Sequence, residues 1–219
     1  MLKEGLTFIK ESLRDFRATG AVLPSSHFVA RKITSKAVEA VNGSQLRVLE
    51  VGSGTGSFSR HLVESLSAGD VLDLCEINPN FAERLRSRFT SNGHHPNGPQ
   101  IRVYEDSVLN LEPSEPYDFI VSGLPFNSFE PDFVSSVLTK YTEMLKPGGY
   151  LSFFEYLFIR ELTYPFGSKN YRQRVSAVAE VMSQYYKDRN LESETVLLNI
   201  PPAVVHHLSQ LNGNGSSGD

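Results

Sequence analysis

The sequence predicts an α/β fold: a doubly wound, seven-stranded, mostly parallel sheet with an antiparallel last strand, preceded by N-terminal helices. Three observations carry this. Val48-Leu49-Glu50-Val51 is a short apolar run of the kind that forms a buried parallel strand. It ends in Gly52-Ser53-Gly54-Thr55-Gly56, whose alternating glycines let the backbone turn tightly and approach a ligand. Apolar runs then alternate with segments of helical period, and the last two runs meet at Pro201-Pro202, a link too short for a crossover and therefore an antiparallel hairpin.

With 219 residues, 40% hydrophobic and 21% charged, the chain suffices for one large α/β domain and is too short for two well-filled ones. The expected organisation is an amphipathic helix over 1–18, one domain over 19–210 and a polar, Gly/Ser-rich disordered tail over 211–219. A net charge of −4 supplies none of the basic field of a protein that lives on nucleic acid. Cys75 is the only cysteine, so no internal disulfide forms, and its place in Val71-Leu72-Asp73-Leu74-Cys75 reads as a buried structural thiol. Met1 to Gly5 carries charges where a secretory leader is apolar. The longest apolar stretch, Tyr150 to Ile159, is broken by Glu155, so no membrane-spanning segment is expected.

Leu2, Leu6, Ile9, Leu13 and Phe16 make one apolar stripe at spacings of three and four, opposite Lys3, Glu4, Lys10, Glu11, Arg14 and Asp15. Spacing alone allows a helix packed on the domain or one lying on a membrane surface. Thr19 to Ser26 is a loop rich in turn residues, and Ser25 or Ser26 caps a helix carrying Phe28, Val29, Ile33, Ala37, Val38 and Val41. After the glycine loop, Phe58, Leu62, Val63 and Leu66 mark a helix and Val71 to Cys75 a second strand. Glu76 stands just beyond that strand, where an acid can accept both hydroxyls of a ribose. Asn78-Pro79 starts a helix with Phe81, Leu85 and Phe89 on its buried side.

Gly93 to Pro99 is a surface loop, and adjacent His94 and His95 have no Cys or acid beside them, so no metal is expected. Ile101 to Tyr104 is the third strand. At its end, Asp106 and Ser107 either meet an adenine edge or cap the next turn. Tyr117 to Val121 is the fourth strand and runs into Ser122-Gly123-Leu124-Pro125-Phe126-Asn127, which turns backbone carbonyls and an apolar ring toward the crevice. Pro131 opens a helix that Lys146-Pro147-Gly148-Gly149 closes, and Tyr150 to Tyr156 is the fifth strand. Arg160, Lys169, Arg172 and Arg174 gather around a loop with Tyr164, Phe166 and Tyr171, either a solvated loop or a lid with cations for an anion and rings for an alkylated cation. Tyr171 to Asp188 is helical, and Glu194 to Ile200 and Val204 to Leu208 form the hairpin.

Glu50, Gly52, Gly54 and Gly56 resemble the first motif of the S-adenosylmethionine-dependent methyltransferases. The whole order of elements is similar to their class I, Rossmann-like plan. Within that class, Thr19-Gly20-Ala21-Val22-Leu23-Pro24-Ser25, the loop Glu50 to Gly56, Ser122-Gly123-Leu124-Pro125 and Asn199-Ile200-Pro201-Pro202-Ala203-Val204 resemble the bacterial phospholipid N-methyltransferases. That family methylates phosphatidylethanolamine stepwise toward phosphatidylcholine. The resemblance implies S-adenosylmethionine as cofactor, held by Gly20, Ser25, Glu50, Gly52, Gly54, Gly56, Glu76, Asp106, Ser107 and Ser122. It also implies a first helix on the membrane and a cytoplasmic protein attached peripherally to the inner face. The ribosomal RNA adenine dimethylases look related through the same loops, but Ser122 stands where they carry Asn, and the acidic charge opposes RNA. The remaining alternative is a cofactor-binding module without catalysis.

Methyl transfer to an amine requires an unprotonated nitrogen held in line. Glu155 or Tyr156, at the end of the fifth strand, is the candidate base or orienter. Leu124, Pro125, Phe126, Tyr164 and Tyr171 are the candidate apolar and aromatic contacts for the acceptor, with Arg160, Arg172 and Arg174 for a lipid phosphate.

Overall fold

The computed structural model describes residues 27–90, 97–157, 169–199 and 201–210. Its seven strands lie in one sheet of order β3-β2-β1-β4-β5-β7-β6. They are β1 (Arg47–Val51), β2 (Val71–Cys75), β3 (Gln100–Tyr104), β4 (Tyr117–Ser122), β5 (Leu145–Tyr156), β6 (Arg189–Val196) and β7 (Ala203–Gln210). β1 to β5 pair in parallel, and β7 runs antiparallel to both β5 and β6. This is the seven-stranded, mostly parallel sheet that the sequence predicts, with antiparallel pairing at its β7 end.

All five residues of β1 and of β2 are buried, as a parallel strand covered on both faces requires. The covering helices are α1 (His27–Ile33), α2 (Ser35–Glu39), α3 (Ser57–Ser65), α4 (Pro79–Phe89), α5 (Pro131–Met144) and α6 (Lys169–Tyr186). One core joins Leu49, Val51, Ile120 and Phe153 to Val134, Leu138 and Tyr141 of α5 and to Val178 and Met182 of α6. On the other face Val48, Leu72, Leu74 and Val121 meet Val29 and Ile33 of α1, Phe58 and Leu62 of α3 and Leu85 of α4. Alternation along each strand divides the two cores.

Three boundaries differ from the sequence reading. The helix expected from Phe28 to Val41 is two helices, because Thr34 turns its hydroxyl back onto the Ala30 carbonyl (2.8 Å) and the chain breaks there. β5 begins at Leu145, and Lys146 to Gly149 is an irregularity within it: the register jumps from Tyr117↔Leu145 to Phe119↔Tyr150. β6 spans Arg189 to Val196, so Leu197, Leu198 and Asn199 belong to the turn; the Asn199 side chain donates to the Pro201 carbonyl there (2.6 Å). The amphipathic stretch at 2–16, the Thr19 to Ser26 loop, His94, His95 and the tail from 211 lie outside the described residues.

Register decides what meets at the carboxyl edge. Cys75, Val51, Ser122, Phe153, His206 and Ser193 form one continuous row across six strands. Immediately beyond the row come Glu76, Gly52 and Gly123, at the reversal of strand order between β1 and β4 where open α/β sheets bind ligands.

Candidate functional site

The β1 loop is shaped by its glycines in different ways. Gly54 has φ +53°, and a Cβ there would meet only the Gly52 carbonyl oxygen, at 3.9 Å, so its outer side is open. Gly56 has φ +82° and starts α3, and a Cβ there would lie 3.0 Å from the Phe89 ring. The β4 loop presses on the same turn: a Cβ on Gly123 would stand 2.8 Å from the Gly52 carbonyl oxygen. Only glycine allows these two backbones to pass so closely.

Glu76 ties the loop to its neighbours. One carboxylate oxygen accepts from Gly54 N and the other from Asn78 N, both at 2.8 Å, and the side chain is 5% exposed. Asn78 in turn caps α4 by accepting from Asn80 N (3.0 Å). The acid predicted from spacing is thus fixed at the open side of the glycine loop.

Glu50 is buried beneath the loop, with the buried Ser53 and Ser59 hydroxyls close to its carboxyl. Burial pushes the Glu50 carboxyl up to about 8; Ser59 opposes the shift and the Glu76 charge adds to it. Buried polar side chains are costly, and here three of them cluster at a glycine turn with an open outer side. That combination, with Glu76 at the rim, fits a polar and positively charged nucleoside ligand such as S-adenosylmethionine. Glu50, Gly52, Gly54 and Glu76 are the residues that would hold it.

Other predicted residues are placed differently. Asp106 accepts from Ser107 N (2.6 Å) and Asn110 Nδ2 (2.8 Å), and Ser107 caps the 3-10 turn Val108–Asn110 through Leu109 N (3.3 Å). Both side chains make these local hydrogen bonds at the carboxyl end of β3, and Asp106 is exposed there. The Ser122 hydroxyl is fully buried against the Tyr141 hydroxyl (2.9 Å) and accepts weakly from Leu124 N (3.4 Å), so it anchors the β4 loop from inside. Phe126 is 3% exposed and packs edge-on against Phe153 (5.5 Å between ring centroids), as a wall of the core, while Leu124 and Pro125 stay partly exposed.

Glu155 and Tyr156 fall on opposite faces. Tyr156 meets Phe154 (5.2 Å, near-perpendicular), which touches Phe58 of α3. Glu155 faces the α5/α6 side, with an oxygen 3.8 Å from His206 Nε2. Arg174 lies over the Tyr171 ring (5.7 Å) and 3.6 Å from Glu130, whereas Arg172 is exposed. Gly20, Ser25, Arg160 and Tyr164 lie outside the described residues. Cys75 is buried and its thiol is pushed up to about 12 by burial, consistent with a structural role. Sequence spacing does not single out His206, because only strand pairing brings it beside Phe153 and Glu155. Among the described residues, no group of His, Cys, Asp and Glu gathers in a way that could hold a metal ion.

Residues 48–149 match the family model described as a methyltransferase domain. The chain is similar to an ornithine lipid N-methyltransferase of Singulisphaera acidiphila, 26% identical over 155 residues, covering 68% of this chain and 76% of that one. Among solved structures it is similar to the N-methyltransferase NodS of Bradyrhizobium japonicum, with TM-score 0.59, 16% identity and coverage of 84% and 85%. It is also similar to the O-methyltransferase TomG of Streptomyces achromogenes, with TM-score 0.63, 16% identity and coverage of 93% and 89%.

Proposed function

We propose that this class I methyltransferase, whose cofactor is S-adenosylmethionine, methylates the amine of a phospholipid, converting phosphatidylethanolamine stepwise toward phosphatidylcholine at a membrane surface. The observation that carries the reading is the similarity to an ornithine lipid N-methyltransferase, which covers 68% of this chain and 76% of that one. In this reading residues 1–18 form an amphipathic helix that holds the protein on the inner face of the membrane, and the protein is cytoplasmic. Among the described residues, no helix is long and apolar enough to cross a membrane.

When bound, S-adenosylmethionine supplies an electrophilic methyl group on its sulfonium. The chain's task is to bring an amine nitrogen into line and keep it free of its proton. The β4 loop, with Leu124 and Pro125 partly exposed over Phe126, gives an apolar floor that sheds water from the amine. Glu155, one third exposed at the end of β5, is the carboxylate on the same face and takes the proton. Arg172, exposed on α6, is available for the lipid phosphate.

The test incubates the protein and labelled cofactor with phosphatidylethanolamine vesicles, and in parallel with a structured RNA, and weighs the products. Mono-, di- and trimethylated lipid is the expected result. Label on RNA adenine would replace this reading with nucleic-acid methylation, and cofactor binding without transfer to either would leave a binding module.

A further inference from the structure

Three adjacent strands place Ser193, His206 and Phe153 side by side, with Glu155 one step further toward the carboxyl edge on the same face. His206 Nδ1 lies 2.8 Å from Ser193 Oγ, and Nε2 lies 3.8 Å from Glu155. The ring is held by aromatic neighbours: Phe153 at 5.0 Å and Tyr186 of α6 at 6.3 Å, themselves stacked on one another. Phe153 also touches Phe126 of the β4 loop, so this assembly packs against the loop proposed to receive the acceptor. Its far end is open, because Ser193 is exposed on the outermost strand.

We infer that Glu155, His206 and Ser193 form a proton exit path from the acceptor amine to solvent at the edge of the sheet, with His206 as a positioning and relay residue acting through Glu155. The inference rests on the amine reading above. An ammonium N–H bond breaks as an O–H bond forms on Glu155, and the nitrogen retains the electron pair that makes the new C–N bond. The Glu155 proton then moves to His206 Nε2 while the Nδ1 proton leaves through the Ser193 hydroxyl to water. The gap at Nε2 is closed by one water or a small rotation of the part-exposed Glu155. This requires His206 to rest with its proton on Nδ1, donating to Ser193, and Nε2 open toward Glu155. The ionisable groups around the ring are Glu155 on β5 and Tyr186 on α6, while His207 on its own strand points to the opposite face, against Ser152.

The experiment has two arms. Ring ¹⁵N shifts of His206 in the cofactor-free protein are expected to report the Nδ1–H tautomer, and an Nε2–H tautomer would overturn the path. In the second arm, His206→Gln and Ser193→Ala are compared with the unsubstituted chain across pH, using phosphatidylethanolamine in vesicles as acceptor. For His206→Gln, kcat is expected to fall roughly 100-fold at pH 7 with KM and cofactor affinity unchanged. The loss should shrink as pH approaches about 10, where an alkylamine sheds its proton unaided. Ser193→Ala should show a smaller loss with the same pH trend. A loss equal at every pH, or none, overturns the relay while the amine reading stands; absence of lipid methylation by the unsubstituted chain overturns both.

Discussion

Two residues in the glycine loop set opposite demands. At Gly54 the backbone is left-handed and the space beyond it is open, so a side chain there both strains the turn and fills the space proposed for the ligand. Gly54→Val is expected to abolish S-adenosylmethionine binding measured by calorimetry while the protein remains folded by circular dichroism; retained affinity would refute the assignment. Beneath it, Glu50 keeps its proton in the folded state up to about pH 8 but loses it near 4.5 in the unfolded chain. The folded state therefore binds the extra proton between these values, and stability falls as pH rises from 4.5 to 8. Glu50→Gln should remove that fall and raise the stability of the cofactor-free protein at pH 8 by roughly 4 kcal/mol, while weakening affinity for the cationic cofactor. Equal denaturant midpoints for the two proteins at pH 8 would show that the carboxyl is not held neutral. The sequence disclosed Glu50 through its motif and Glu76 through its distance from the loop. It disclosed nothing of His206, whose neighbours lie tens of residues away in the chain.

Between elements, one contact from α5 supports the end of β4. Tyr141 reaches across the core to the Ser122 hydroxyl, and Ser122 is the last residue before the loop that passes Gly52. Tyr141→Phe is expected to cost about 1 kcal/mol, seen as a lower urea midpoint with an unchanged m-value. An unaltered midpoint would mean that this buried bond contributes nothing net. Strands and helices were legible from periodicity because burial on both faces leaves such plain runs in β1 and β2. Their ends were less so. Thr34 divides one apolar stripe into two helices by a side-chain bond that spacing cannot register, and β5 absorbs Lys146 to Gly149 as a bulge although Pro-Gly-Gly reads as a stop.

At the scale of the whole molecule, the chain has a net charge of −4, so the proposed attachment to lipid would rest on a local apolar face and not on its overall field. Deleting Leu2 to Arg17 is expected to reduce cosedimentation with vesicles by 10-fold or more without lowering the melting temperature; undiminished binding would place the contact elsewhere. The overall plan was readable because alternating strands and helices admit few topologies, whereas the acceptor was not, since it depends on loops that many chemistries share. The sheet order also governs assembly in time. β7 is the last of the described strands in sequence yet lies between β5 and β6, so β6 lacks the neighbour it pairs with until residues 203–210 arrive. Until then both β5 and β6 present open edges, a state prone to pairing with other chains. The strand that carries His206 is thus also the keystone of folding: synthesis must pass residues 203–210 before the sheet can close, and a chain cut short before residue 203 would be an aggregation hazard.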